Sequence, residues 1–179
     1  MRVVVFSLMV MALLHAFTPY LSDSKAAVSR VEIEDLARQT QMMTPDEVVL
    51  QLKQASRPTM LVVYASWCHY CRQLMPSIYQ LWNEKKIAGD QMLLVSLDEQ
   101  FNELATYLLE NRFNRMLGVP IMIKADNKSA LRIALKPLGA SFSGGIPYIG
   151  FFGKGGQMID EIHGAVEKND IEDALVNLK

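Results

Sequence analysis

The chain has 179 residues, a formal net charge of -1 from 18 Lys and Arg against 19 Asp and Glu, and an apolar share of 50%. That length accommodates one domain with a real core, and that apolar share excludes a disordered chain. The near-zero charge offers no basic surplus to hold a nucleic acid backbone, so nucleic acid is not an expected partner.

Arg2 precedes an almost unbroken apolar run, Val3 to Phe17, followed by Pro19 and polar residues. The run is short for a membrane-spanning helix and of the right length for a signal-peptide core. Two readings stand for residues 1–26. One is a cleaved signal peptide, with the small residues Ser24 and Ala26 before a cleavage point after Ala26. The other is an uncleaved anchor whose helix extends through Leu21. Both place the domain in the periplasm or another extracytoplasmic space, with membrane contact only through this segment.

Residues 27–43 form a lead-in whose "VSRVEIEDLARQTQMM" is amphipathic and suits a linker or an extra helix. The main domain is expected over 44–179. Thr44, Pro45 and Glu47 compose a helix start with a capping box. Thr59 to Ser66 is a short apolar run of strand formers. Leu74, Ile78, Leu81 and Trp82 recur at helical spacing, so the segment after the strand is a helix, with Pro76 inside it. A second buried strand ends at Asp98, and Phe101, Leu104, Ala105 and Leu108 mark the next helix. "GVPIMIKAD" suits a third strand, and Leu131, Ala134, Leu135 and Leu138 a further helix. After the loop "SFSGG", the stretch "IPYIGFF" pairs as a hairpin with "QMIDEIHG" across a glycine-rich turn. Ile171, Ala174, Leu175 and Leu178 close the chain as a helix. This alternation followed by a hairpin predicts an α/β fold with a mixed central sheet flanked by helices.

The chain has two cysteines, Cys68 and Cys71, at the junction of the first strand and its helix. In an oxidising compartment such a pair is not read as two reduced core thiols. So short a loop is also a poor structural staple, because closing it removes little unfolded-state entropy. A helix N-terminus stabilises a thiolate at the first cysteine, while the second lies toward the apolar stripe. An exposed, acidic first thiol and a shielded second one suit disulfide exchange: Cys68 attacks and Cys71 resolves. Zinc is the rival reading, but two cysteines leave a tetrahedral site half filled, and nothing in the sequence brings His69 and His163 to complete it. No cofactor or metal is implied.

Trp67-Cys68-x-x-Cys71 with Pro76 five residues on resembles the thioredoxin superfamily. "GGIPYIGFF" looks like that family's cis-proline loop and following strand, and "HGAVEKNDIEDAL" is similar to its final glycine, here Gly164, and closing helix. The resemblance spans Thr59 to Leu178. It implies that Pro147 is cis and faces the cysteines, and that the backbone of Ile146 can pair with an extended substrate strand beside Trp67. The strand and helix from Leu117 to Leu138, before the cis-proline loop, look like the insertion of the exported TlpA/ResA-type thiol-disulfide oxidoreductases. Those proteins exchange disulfides with thiol-bearing or disulfide-bonded protein substrates, and a membrane reductase would serve as electron donor. The expected function is therefore an exported thiol-disulfide oxidoreductase, acting as a reductant. The alternatives are an oxidase or isomerase of the same chemistry, and a non-catalytic binding module or metallochaperone.

Two positions depart from the family pattern. Val62 stands where thioredoxins carry a buried Asp, and Leu74 where the TlpA-like branch carries Glu. Asp98 is the alternative acid by position, but at a strand end it reads as solvated. Between the cysteines, His69 and Tyr70 are expected to tune the potential. A charged His69 would favour the Cys68 thiolate and a more oxidising disulfide, whereas Tyr70 is similar to glutaredoxin-like pairs. Together they leave the direction of electron flow open.

Overall fold

Serine and threonine open the first two helices. The computed structural model describes residues 28–116, 120–123 and 128–178. The apolar segment read above as a signal or anchor therefore lies outside the described residues. Ser29 caps α1 (Arg30–Gln39) and Thr44 caps α2 (Pro45–Gln54), each in a capping box completed by Glu32 or Glu47. In α1, Leu36 is buried and Ile33 packs against the core, so the amphipathic lead-in is a docked helix.

Between these helices, Gln41–Met43 is a strand, β1, which the sequence reading does not anticipate. Three residues are too few to show a period. The strand exists because it lies parallel beside β4 (Ile121–Ile123), with Met42 opposite Met122 and the Gln41 N–H donating to the Pro120 carbonyl at 2.8 Å.

β2 (Thr59–Tyr64) is buried along its whole length, as expected of a strand covered on both faces. It leads into α3 (His69–Asn83), which continues past Pro76. β3 (Met92–Ser96), α4 (Phe101–Glu110), β4 and α5 (Lys128–Leu135) follow. Then come β5 (Tyr148–Phe152), β6 (Met158–His163) and α6 (Lys168–Asn177). The strand order is β1-β4-β3-β2-β5-β6. Neighbours from β1 to β2 run parallel, whereas β5 runs antiparallel to β2 and β6 antiparallel to β5. The sheet is thus mixed, and the inserted strand-helix unit supplies β4, seated between β1 and β3. The helices pack in pairs, α1 on α4, α2 on α5 and α3 on α6. Among the described residues no helix is long and apolar enough to cross a membrane.

The antiparallel pairing of β5 with β2 sets Tyr148 opposite Val63 and Phe152 opposite Thr59. The end of β2 and the start of β5 therefore lie side by side within the sheet. Within β5, the rings of Tyr148 and Phe152 close over Gly150. A Cβ there would lie 2.7 Å from Phe152 Cε2 and 3.0 Å from the Tyr148 hydroxyl. Both rings are fully buried and have no open space to swing into. Gly150→Ala is expected to destabilise the fold by about 1–3 kcal/mol through overpacking, read as a lower urea midpoint at unchanged slope.

Candidate active site

β2 delivers the chain into a tight turn in which the Cys68 N–H donates to the Ala65 carbonyl at 3.2 Å. Cys68 is the N-cap of α3, the position where Ser or Asp usually accepts the helix's free N–H groups. Here sulfur takes that role: the Cys71 N–H donates to Cys68 Sγ at 3.2 Å. The same geometry stabilises negative charge on Cys68 when the pair is reduced. Cys68 and Cys71 are joined as a disulfide, with Cα atoms 5.2 Å apart. Cys71 is fully buried and Cys68 is 7% exposed. Cys71 is shielded as expected, but Cys68, expected to be exposed, is itself buried in the disulfide form.

The cover comes from the opposite loop. The Ile146–Pro147 peptide bond is cis, and the Ile146 carbonyl oxygen lies 3.7 Å from Cys68 Sγ. The Pro147 carbonyl accepts the Gly164 N–H at 2.9 Å, fastening the loop to the end of β6. Trp67 and Tyr70 flank the disulfide, each more than half exposed. His69 lies edge-on to Tyr70, with ring centroids 5.4 Å apart, and its Nε2 is 3.2 Å from Gln73 Nε2. The structure thus gathers Cys68, Cys71, Ile146 and Pro147 at one point and sets Trp67, His69 and Tyr70 on its rim.

Asp98 corrects the sequence reading. It is 1% exposed, not solvated. The chain leaving β3 continues the ladder, with the Leu97 N–H donating to the Tyr64 carbonyl at 2.8 Å, and so carries Asp98 inward. Its carboxylate accepts the Ser66 N–H at 2.9 Å and the hydroxyls of Ser66 and Ser96. On the other side of Ser66, Arg72 Nε donates to its carbonyl at 2.6 Å, and the guanidinium lies over the Tyr107 ring. Ser66, two residues before Cys68, is held from both sides. Burial pushes the Tyr107 hydroxyl up to about 12, with Arg72 opposing the rise and Asp98 adding to it. Burial likewise raises Tyr64 far above the usual range, with Asp98 and Tyr107 contributing, so Tyr64 stays protonated. Val62 and Leu74, where the resemblance carries acids, are both core residues.

His163, at the end of β6, faces a second carboxylate. Its Nε2 is 3.5 Å from Glu161 Oε1 and 3.2 Å from Ser141 Oγ. Burial alone would raise the Glu161 carboxyl. Hydrogen bonds from the Ser141 side chain and backbone, from Tyr148 and from His163 outweigh it and hold the group below the usual carboxylate range. Ser66, Ser141, Tyr148 and Glu161 carry no sequence signal as site residues, because the carboxylate or donor each meets is distant in the chain, and Arg72 reads as an ordinary exposed helix residue.

A disulfide at the N-cap of a helix, covered by the carbonyl before a cis-proline in the loop that leads into β5, defines a thioredoxin-fold centre. Residues 45–179 match the thioredoxin-like domain family, and the chain belongs to it. No curated protein matches the sequence. Among solved structures the chain is similar to a thioredoxin-family thiol:disulfide interchange protein of Chlorobium tepidum TLS. The identity is 19%, over 72% of this chain and 83% of that one, with a TM-score of 0.54. It is also similar to a secreted Mycobacterium tuberculosis disulfide oxidoreductase homologous to E. coli DsbE. There the identity is 14%, over 70% of this chain and 84% of that one, with a TM-score of 0.50. At these identities the likeness shows the fold.

Asp98→Ala would leave the Ser66 N–H and two buried hydroxyls without their acceptor. An unpaired buried donor costs about 1–3 kcal/mol, so a total loss of at least about 3 kcal/mol is expected in urea denaturation, and a smaller one for Asp98→Asn.

Proposed function

We propose that this protein is a thiol-disulfide oxidoreductase of protein substrates, working outside the cytoplasm as a reductant. The observation that carries the reading is the position of Cys68 Sγ, at the helix N-cap and 3.7 Å from the Ile146 carbonyl before cis-Pro147. An extended substrate strand pairing with the backbone of Ile146 would bring its own disulfide onto Cys68. The exposed faces of Trp67 and Tyr70 would receive its apolar side chains.

The reaction runs in two exchanges. In the reduced protein the Cys68 thiolate attacks one substrate sulfur. The substrate disulfide breaks, its other sulfur leaves as a thiolate and takes a proton, and a mixed disulfide forms. Cys71, deprotonated, then attacks Cys68 Sγ. The mixed disulfide breaks, the second substrate thiolate leaves and is protonated, and Cys68–Cys71 closes. Two electrons and two protons pass to the substrate, and a second dithiol protein, a membrane reductase in this reading, restores the pair.

The β4–α5 insertion, similar in position to that of TlpA/ResA-type proteins, supports the reductant direction. His69 beside Cys68 favours the opposite reading, a disulfide donor. The potential of the Cys68–Cys71 couple separates the two: about -270 mV is expected for the reductant, and about -120 mV would mean a donor. Cys68→Ser is expected to abolish reduction of a disulfide-bonded protein such as insulin, and Cys71→Ser to accumulate mixed disulfides visible on non-reducing gels. Full activity in Cys68→Ser would sink the proposal.

Residues 1–26 would direct export. Mass analysis of the protein recovered from its native compartment is expected to show a chain beginning at Ala27 if the segment is cleaved, or an intact membrane-bound chain if it anchors. Recovery of the intact chain from the cytosol would refute export.

A further inference from the structure

The loop from Ser141 to Pro147 carries Ile146 and has neither helix nor strand, and two glycines, Gly144 and Gly145, lie within it. Such a stretch is costly to hold in one geometry. Yet the proposed exchange requires the Ile146 backbone at a fixed place beside Cys68.

One carboxylate holds both ends of this loop. Glu161, on β6, has a side chain only 22% exposed. Its Oε2 accepts the Ser141 N–H at 2.9 Å and the Tyr148 hydroxyl at 2.9 Å. Its Oε1 accepts the Ser141 hydroxyl. Ser141 stands near the start of the loop, three residues after the short helical turn Lys136–Leu138, and Tyr148 follows cis-Pro147 directly. Between them Phe142 is buried against the Tyr148 ring, with centroids 4.9 Å apart. The Tyr148 ring is in turn edge-on to His163 at 5.1 Å. Burial and the bond to Glu161 raise the Tyr148 hydroxyl far above its usual range, so it remains a donor. The Glu161 carboxyl, held below its usual range, remains an acceptor at neutral pH.

We infer that Glu161 is a positioning residue for disulfide exchange with protein substrates: it ties Ser141 to Tyr148 and so holds the Ile146–Pro147 backbone where a substrate strand pairs with it. This inference rests on the proposed oxidoreductase reading. It assigns Glu161 no contact with the sulfurs. Its loss should therefore impair recognition of an extended protein substrate and spare the intrinsic reactivity of Cys68.

The test compares the full-length wild type with Glu161→Ala, Glu161→Gln and Tyr148→Phe. Two oxidants probe the reduced proteins: insulin, which must engage the loop, and dithiobis(nitrobenzoate), a small disulfide that need not. For Glu161→Ala, in single-turnover reactions of the reduced protein, the second-order rate constant with insulin is expected to fall about tenfold, mainly through a higher half-saturating insulin concentration, while the rate with the small disulfide stays within about twofold. The reduction potential should not move. Glu161→Gln, which keeps an acceptor oxygen, should recover part of the loss, and Tyr148→Phe should reproduce part of it. An unchanged insulin rate would overturn the inference, as would an equal loss with both oxidants.

Hydrogen exchange gives a readout independent of activity. In Glu161→Ala the amides of Gly144, Gly145 and Ile146 should exchange faster while those of β2 do not. If the wild type reduces neither oxidant, the functional reading fails, and exchange alone decides whether the clamp exists. Unchanged loop protection would then refute it.

Discussion

The antiparallel pairing of β5 with β2 is the constraint on which the rest depends. Every other neighbour on the β1 side of β2 is parallel, and a wholly parallel sheet would put all strand starts at the far edge. Reversing β5 brings its first residue, Tyr148, opposite Val63, close to where β2 runs out. The two loops that matter, one after β2 and one before β5, are thereby placed face to face without any long-range search by either. A helix N-terminus then falls on the first cysteine because only the short turn 65–68 separates β2 from α3. The nearness of Ile146 to Cys68 thus follows from the direction of β5, and the local electrostatics of Cys68 from the helix start that follows β2.

Facing loops are not yet a fixed geometry. Each of the two carries its own brace, and the braces have the same chemistry. Before Cys68, Ser66 gives its N–H and its hydroxyl to the carboxylate of Asp98. Before cis-Pro147, Ser141 gives its N–H and its hydroxyl to the carboxylate of Glu161. In both cases a neighbouring strand or its extension supplies the acid, and a charged acceptor makes the bonds stronger than neutral pairs would be. The environments differ. Asp98 is enclosed and has three donors, so its loss would strand buried polar groups. Glu161 lies nearer solvent, where water can replace lost bonds, and its effect falls on loop order more than on global stability. The cysteine loop is in this sense built into the core, and the proline loop is held against it.

The sequence shows the chemistry far more plainly than the bracing. Cys68-x-x-Cys71 follows an apolar strand and precedes a helical stripe, so its place at a strand-helix junction is readable within a dozen or so residues. The capping box at Thr44 and Glu47 is equally local, and it formed as its spacing implies. β1 is not readable, since three residues have no period and only β4, far along the chain, makes them a strand. Asp98 misled for the same reason. A polar residue after a buried run ordinarily marks the exit to solvent, and nothing near it in sequence reveals a partner at Ser66, 32 residues earlier. Ser141 and Glu161 are 20 residues apart and belong to the commonest surface residue types.

This division has a physical origin in what each part must do. Thiol reactivity is set by a helix terminus and by burial over a few ångströms, which are properties of one contiguous segment. Holding two loops in register requires a bond between segments that the fold alone makes adjacent, and any Ser with any acid can form it. Val62 and Leu74 sharpen the point. At both positions the local motif that would advertise a proton acceptor is replaced by core apolar side chains. The polar groups that hold Ser66, the buried Asp98 and the exposed Arg72, come from the extension of β3 and from α3. In this chain the buried carboxylate that braces the turn before the disulfide comes from a tertiary contact and is absent from the motif itself. The same Cys-x-x-Cys signature can therefore be braced by different buried groups, and the residues between the cysteines do not reveal which.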